Sequence, residues 1–134
     1  MSRFTGEDPI GRYLPDGKRF QLFEACEFFI SKYEGIGRSV IAEVGFITDF
    51  ASIPIWLQPI IPQYKGRRAA IIHDKLYQTL GLEGVYNRKE CDRIFYDALT
   101  VLDVSIGVKV ALYLGVRLGG WYTWNKYAKS RIRK

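Results

Sequence analysis

Ile71-Ile72-His73-Asp74-Lys75-Leu76-Tyr77 contains the only histidine in the chain. Gly66-Arg67-Arg68-Ala69-Ala70 leads into it with good helix formers, and Gly81 ends the pattern. The stretch reads as a helix of roughly four turns. Positions 69, 72, 73, 76 and 80 then share one face by the i, i+3, i+4 rule. Ala69, Ile72, Leu76 and Leu80 make that face apolar, so His73 points inward. Tyr77 lies one turn beyond His73 on the same side. Asp74 is rotated by about 100°, toward the edge of the face.

A buried imidazole needs a partner for each ring nitrogen. Asn87-Arg88-Lys89-Glu90 reads as an N-cap with Glu at N3, a capping-box variant that opens a second helix. Cys91, Phe95, Ala98, Leu99 and Leu102 form its apolar stripe, with Ile94 at the edge. Asp92 abuts that stripe. The short segment from Gly81 to Tyr86 makes the two helices antiparallel neighbours. That packing would bring Asp92 to His73.

With 134 residues, nearly half of them hydrophobic, the chain is long enough for one domain with its own core. The N-terminus is polar and carries no signal-peptide pattern. The most apolar run, Val104 to Trp121, is broken by Lys109 and Arg117, which argues against a transmembrane helix. Cys26 and Cys91 fall in apolar patterns and read as buried thiols. The net charge is +6. Lys126, Lys129, Arg131, Arg133 and Lys134 lie in residues 121–134, which contain no acid. Without that segment the charges nearly balance, so the basicity belongs to an aromatic, basic C-terminal tail.

Residues 1–9 read as an extended arm. Ile10–Leu14 and Arg19–Glu24, joined by Pro15-Asp16-Gly17-Lys18, read as a hairpin. Phe20, Leu22 and Glu24 would share one face, and Gln21, Phe23 and Ala25 the other, both partly covered. Glu27–Tyr33 and Ser39–Val44 would add two strands around a turn at residues 34–37. Gly45 to Pro54 mixes small polar with large apolar residues. The prolines that follow are too closely spaced for a long helix, so a packed irregular loop is expected, with Asp49 and Ser52 as its polar groups. A final helix begins near Asp103 or Ser105. Its stripe of Gly107, Ala111, Gly115 and Gly119 would let another helix approach, and Gly119-Gly120 would weaken or bend it. The fold class is α+β: an antiparallel N-terminal sheet, an irregular proline-rich loop and three C-terminal helices.

Thr48-Asp49-Phe50-Ala51-Ser52-Ile53-Pro54, His73-Asp74-Lys75-Leu76-Tyr77, and Asp92 with Phe95 together resemble the phage and prophage family filed as domain of unknown function 1353. The likeness runs from about Gly45 to Trp121. It implies a phage origin, near genes for virion components or lysis. A second similarity is to phospholipase A2, through His73, Asp74 and Tyr77 on one helix and Cys91, Asp92 and Arg93 on the next. That likeness implies His73 as general base on water, Asp92 orienting its imidazole and Tyr77 bonded to Asp92. Asp74 would ligate calcium or another divalent cation. The Gly-rich calcium loop and paired cysteines of that family have no counterpart; only Gly45 precedes Asp49 in the comparable region.

Each sharp reading has an ordinary one beside it. His73 and Asp92 form either a water-activating dyad or a core pair that stabilises the fold. Asp49, Asp74 and Asp92 around one histidine would make a hard-oxygen metal site, a weak pattern. Ser52, His73 and Asp92 also spell a triad, but Ala51 and Ile53 flank Ser52 where an elbow would carry glycines. Ser52, Asp49 and Trp56 would line a binding region, or else merely brace the loop. The two functions expected are a phage-encoded, virion- or lysis-associated hydrolase acting on an ester or amide of the cell envelope, and a non-catalytic virion component of the tail or tail tip. Partners would be other virion proteins or the host envelope, with the tail on an anionic membrane. Nucleic acid ranks last, because no module for it is recognisable. The expected location is the virion or the host cytoplasm.

Overall fold

A computed structural model describes residues 2–6, 9–30, 38–63 and 66–132. Its strands lie before residue 49. β1 (Arg3–Thr5), β4 (Cys26–Ile30) and β5 (Arg38–Ala42) form one antiparallel sheet in the order β1-β4-β5. β2 (Gly11–Tyr13), β3 (Phe20–Leu22) and β6 (Ile47–Thr48) form another, in the order β2-β3-β6. The single sheet expected from the sequence is therefore two small ones. The arm is not loose: β1 pairs along β4, with Phe4 opposite Phe28 and their rings 4.7 Å apart. The hairpin turn forms where the Pro-Asp-Gly signal lies, and Asp16 accepts the Lys18 and Arg19 amides. The tip of the third expected strand and the turn at 34–37 lie outside the described residues.

Alternation decides which faces are buried. Cys26, Phe28 and Ile30 of β4 face the core, as do Phe20 and Leu22 of β3. On the other face of the second hairpin strand Gln21 is half-buried and Phe23 exposed, so that face is covered only in part.

The helices make up the other half. α1 (Ile60–Gln63) is a single turn after the proline-rich loop. α2 (Arg67–Gln78) is the expected histidine helix, but somewhat shorter than four turns. It ends at Thr79, and the chain then runs through α3 (Leu80–Gly84), which is left-handed: φ is positive from Leu80 to Gly84. Leu80 thus drops out of the helical face. α4 (Arg88–Val101) opens with the full capping box, Asn87 with Glu90. α5 (Ile106–Ile132) runs on through Gly119-Gly120. The described part of the basic tail is therefore its last turns, and Arg133 and Lys134 lie outside the described residues.

α2 lies at the centre. β4, β5 and β6 cover one side of it, and α4 and α5 cover the other. It is accordingly buried nearly all round, not along one stripe. Asp74, expected at an edge, is fully buried because the side that carries it faces β6. The small-residue stripe of α5 admits a loop instead of a helix. A Cβ on Gly115 would overlap Leu57, and one on Gly119 would meet Pro54. Among the described residues, no helix is long and apolar enough to cross a membrane.

Candidate functional site

Three elements deliver polar side chains to one point in the core. α2 supplies His73 and, one turn on, Tyr77. α4 supplies Asp92 from the middle of its buried face. The turn after β6 supplies Ser52. His73 Nε2 lies 2.7 Å from Asp92 Oδ1, and His73 Nδ1 lies 2.9 Å from Ser52 Oγ. Tyr77 donates its hydroxyl to the same Asp92 oxygen at 2.7 Å. All four residues are fully buried.

The proton positions follow from the donors available. Burial alone would raise the Asp92 carboxyl. Hydrogen bonding and charge from His73, then the bonds from Tyr77 and Arg117, hold it below its ordinary value. As a carboxylate Asp92 only accepts, so Nε2 carries the hydrogen. In the neutral ring Nδ1 then accepts the Ser52 hydroxyl hydrogen. Burial, and next the Asp92 charge, push Tyr77 up, which keeps it a neutral donor.

Two arginines complete the cluster. Arg117 Nη1 of α5 donates to Asp92 Oδ2 at 2.8 Å. Arg88 reaches the same oxygen at 3.5 Å and donates to the Val116 and Arg117 carbonyls. Asp92 thereby links α2, α4 and α5, while His73 adds the Ser52 loop. The sequence reading missed both arginines. A signal for Arg117 was present: a cation within the apolar run from Val104 to Trp121 needs an acid in the core. Arg88 stands one helical turn before Asp92.

The loop that holds Ser52 is braced from within. Phe50 has φ of 58°, a conformation bulky residues rarely adopt. The Thr48 hydroxyl accepts the Phe50 amide, and Gln58 donates to the Phe50 and Ile53 carbonyls. Thr123 of α5 donates to the Ala51 carbonyl.

Asp74 belongs to a separate pair of contacts. Its Oδ2 accepts from Thr48 at 2.5 Å and from Gln78 at 2.8 Å. Oδ1 is buried without a partner. Burial raises the Asp74 carboxyl; the two bonds offset part of the rise, and the Asp49 charge adds to it. Asp49 itself is exposed and caps the Ala51 amide. Trp56 is 71 % exposed on the loop. The structure thus joins His73, Asp92, Tyr77 and Ser52, and leaves Asp49 and Trp56 outside their cluster. Among the described residues, no group of three or more histidine, cysteine or acidic side chains could hold a metal ion.

Access decides what this cluster can do. The His73 ring packs against Tyr77 and Phe95, with centroids 4.4 and 4.6 Å away, and Trp124 stands edge-on to Tyr77. A cleft of about 930 Å³ lies along the loop, lined by Asp49, Phe50, Ala51, Ile53 and Tyr127 but not by Ser52 or His73. Ser52 faces inward, away from it. Both imidazole nitrogens are engaged, so neither is left for the activating water of the dyad reading.

Residues 22–116 match the family described as "Protein of unknown function (DUF1353)". No curated protein and no solved structure matches the chain. The matched span runs from β3 into α5 and takes in Thr48, Ser52, His73, Asp74, Tyr77, Arg88 and Asp92, stopping one residue before Arg117. With well over half of its length inside that match, the chain belongs to the DUF1353 family.

Proposed function

We propose that the protein is a non-catalytic structural component, and that the Ser52–His73–Asp92–Tyr77 cluster is a polar lock on its fold. One observation carries this reading: all four side chains are fully buried and have their hydrogen-bond partners inside the protein. A satisfied buried network specifies one arrangement of the elements it joins. The phage context comes from the sequence resemblance, and with it the place proposed here, a virion and its tail or tail tip.

A hydrolase remains the second reading, favoured by one feature. Ser52 Oγ, His73 and Asp92 stand at the spacing of a nucleophile, its base and the base's orienting acid. Chemistry would require the 48–54 loop to turn Ser52 toward the cleft.

A fluorophosphonate probe, together with phospholipid and peptidoglycan fragments offered with and without calcium, separates the two. The lock reading expects no labelling and no turnover by the folded protein, and a marked loss of thermal stability in His73→Gln. Labelling or hydrolysis that disappears in Ser52→Ala, with the melting temperature unchanged, would establish the hydrolase instead. The virion assignment is checked separately, by mass spectrometry of purified particles.

A further inference from the structure

The cleft beside the proline-rich loop is separate from the buried cluster, and its chemistry differs. Its volume of about 930 Å³ lies within the range of small-molecule sites. The β2–β3 hairpin, the loop after β6, the first residue of α2 and the far half of α5 each supply part of its lining. The loop's share is mostly apolar: Phe50, Pro54 and Ile55 are among the residues that face the opening.

The charges on this lining do not balance. Lys18, Arg67 and Lys126 come from three different parts of the chain, against the single acid Asp49. Arg67 is committed within the protein, since it donates to the Pro9 carbonyl and lies over the Phe20 ring. Asp49 is committed to its own turn, where it accepts the Ala51 amide. Lys18 and Lys126 are exposed, and neither ammonium group makes an ion pair among the described residues. The cleft thus sets two uncompensated cations beside an apolar surface.

We propose that the cleft binds a small anionic amphiphile, with one carboxylate or phosphate on a single apolar chain. The anion pairs with Lys18 and Lys126, and the chain covers Phe50, Pro54 and Ile55. Both parts of the ligand are needed. An anion alone meets two solvated ammonium groups, which hold an ion weakly in water. A neutral chain leaves the cations uncompensated, and a cationic one is repelled. Binding does not depend on whether Ser52 and His73 do chemistry, because neither lines the cleft. Fatty carboxylates and phosphorylated lipids share the required chemistry, whereas free phosphate has only half of it.

The test is isothermal titration calorimetry of the full chain with decyl phosphate below its micelle-forming concentration. Octyl phosphate, decanoate, decyltrimethylammonium, decyl maltoside and inorganic phosphate are titrated beside it. Decyl phosphate should bind one to one, about fifteenfold tighter than octyl phosphate, at about fourfold for each buried methylene. The tighter of decanoate and decyl phosphate identifies the source of the anion. Lys18→Gln combined with Lys126→Gln should weaken decyl phosphate about tenfold, the scale of two exposed ion pairs, with an unchanged melting temperature. Leu114→Ser changes an exposed apolar residue of α5 outside the cleft and should bind as the wild type does. Four results would overturn the proposal: no saturable binding, equal binding of the cationic or neutral amphiphile, inorganic phosphate binding as tightly as decyl phosphate, or a loss in Leu114→Ser equal to that of the lysine variant.

Discussion

His73 Nε2 on α2 donates a hydrogen bond to Asp92 Oδ1 on α4 across 2.7 Å, and both side chains are fully buried. Asp92 is the member on which the rest depend, since it also takes hydrogens from Tyr77 and Arg117. Removing this shared acceptor leaves the His73 Nε2 hydrogen and the Tyr77 hydroxyl buried without a partner, at about 1–3 kcal/mol each. Asp92→Ala should therefore lose stability on that scale in urea unfolding. Arg117→Ala, at a partly exposed position, should lose only about 1.5 kcal/mol, the low end for a charged hydrogen bond. Equal small losses in both variants would mean that Asp92 is not the hub.

Asp92 and Asp74 should impose opposite pH dependences. Asp92 sits below its ordinary value of 3.8 in the fold. Its contribution is full above that value and is lost as pH falls through the lower native one. Asp74 sits above its ordinary value. Its contribution is full below 3.8 and is lost as pH rises through the higher native one. Relative to wild type, Asp74→Asn should thus gain stability as pH climbs from 3.8, and Asp92→Asn should gain as pH drops below that value. Unfolding curves across the acid range check both signs.

Gly81 and Gly120 should resist alanine for different reasons. At Gly81, φ is 68° and a Cβ would fall on the Tyr86 backbone carbonyl. Neither the left-handed turn nor the clash can relax cheaply, so Gly81→Ala should cost more than the roughly 1–2 kcal/mol of a left-handed alanine. At Gly120 the new methyl would press on the Tyr77 hydroxyl at 2.5 Å. Overpacking costs about 1–3 kcal/mol, and the helical preference of alanine returns up to about 1. Gly120→Ala should therefore be destabilised by less than Gly81→Ala in thermal melts, with a perturbed tyrosine signal.

Cys91 should be inert while the protein is folded. Burial, and next the Asp92 charge, push its thiol up to about 12. At pH 8 only about one molecule in ten thousand would carry the thiolate. A disulfide-exchange reagent should leave it unmodified until denaturant is added. Rapid modification of the native protein would show that the Asp92 region opens.

Much of this architecture was legible along the chain, because helices and turns are written in local chemistry. The period of Ala69, Ile72, His73 and Leu76 gave α2 and turned His73 inward. Asn87 and Glu90 gave the start of α4, and Pro15-Asp16-Gly17 gave the hairpin. The His73–Asp92 contact also followed, since two helices on a short connection pack antiparallel, whereas the Tyr77–Asp92 bond was implied by the likeness to phospholipase A2.

What only the tertiary structure decided were matters of long-range placement. The strands divide into two sheets because β6 returns to β3 and β1 to β4, pairings that no local pattern specifies. Asp74 is buried because β6 covers that side of α2, and a periodicity cannot report what packs on its second face. Arg117 reaches Asp92 from 25 residues away, across a helix crossing. Sequence by itself supplied the groups of the candidate site. Whether anything can reach them was settled by Phe95, Trp124 and the turned-in Ser52, because access is a property of the closed surface, which the chain acquires only when distant segments pack together.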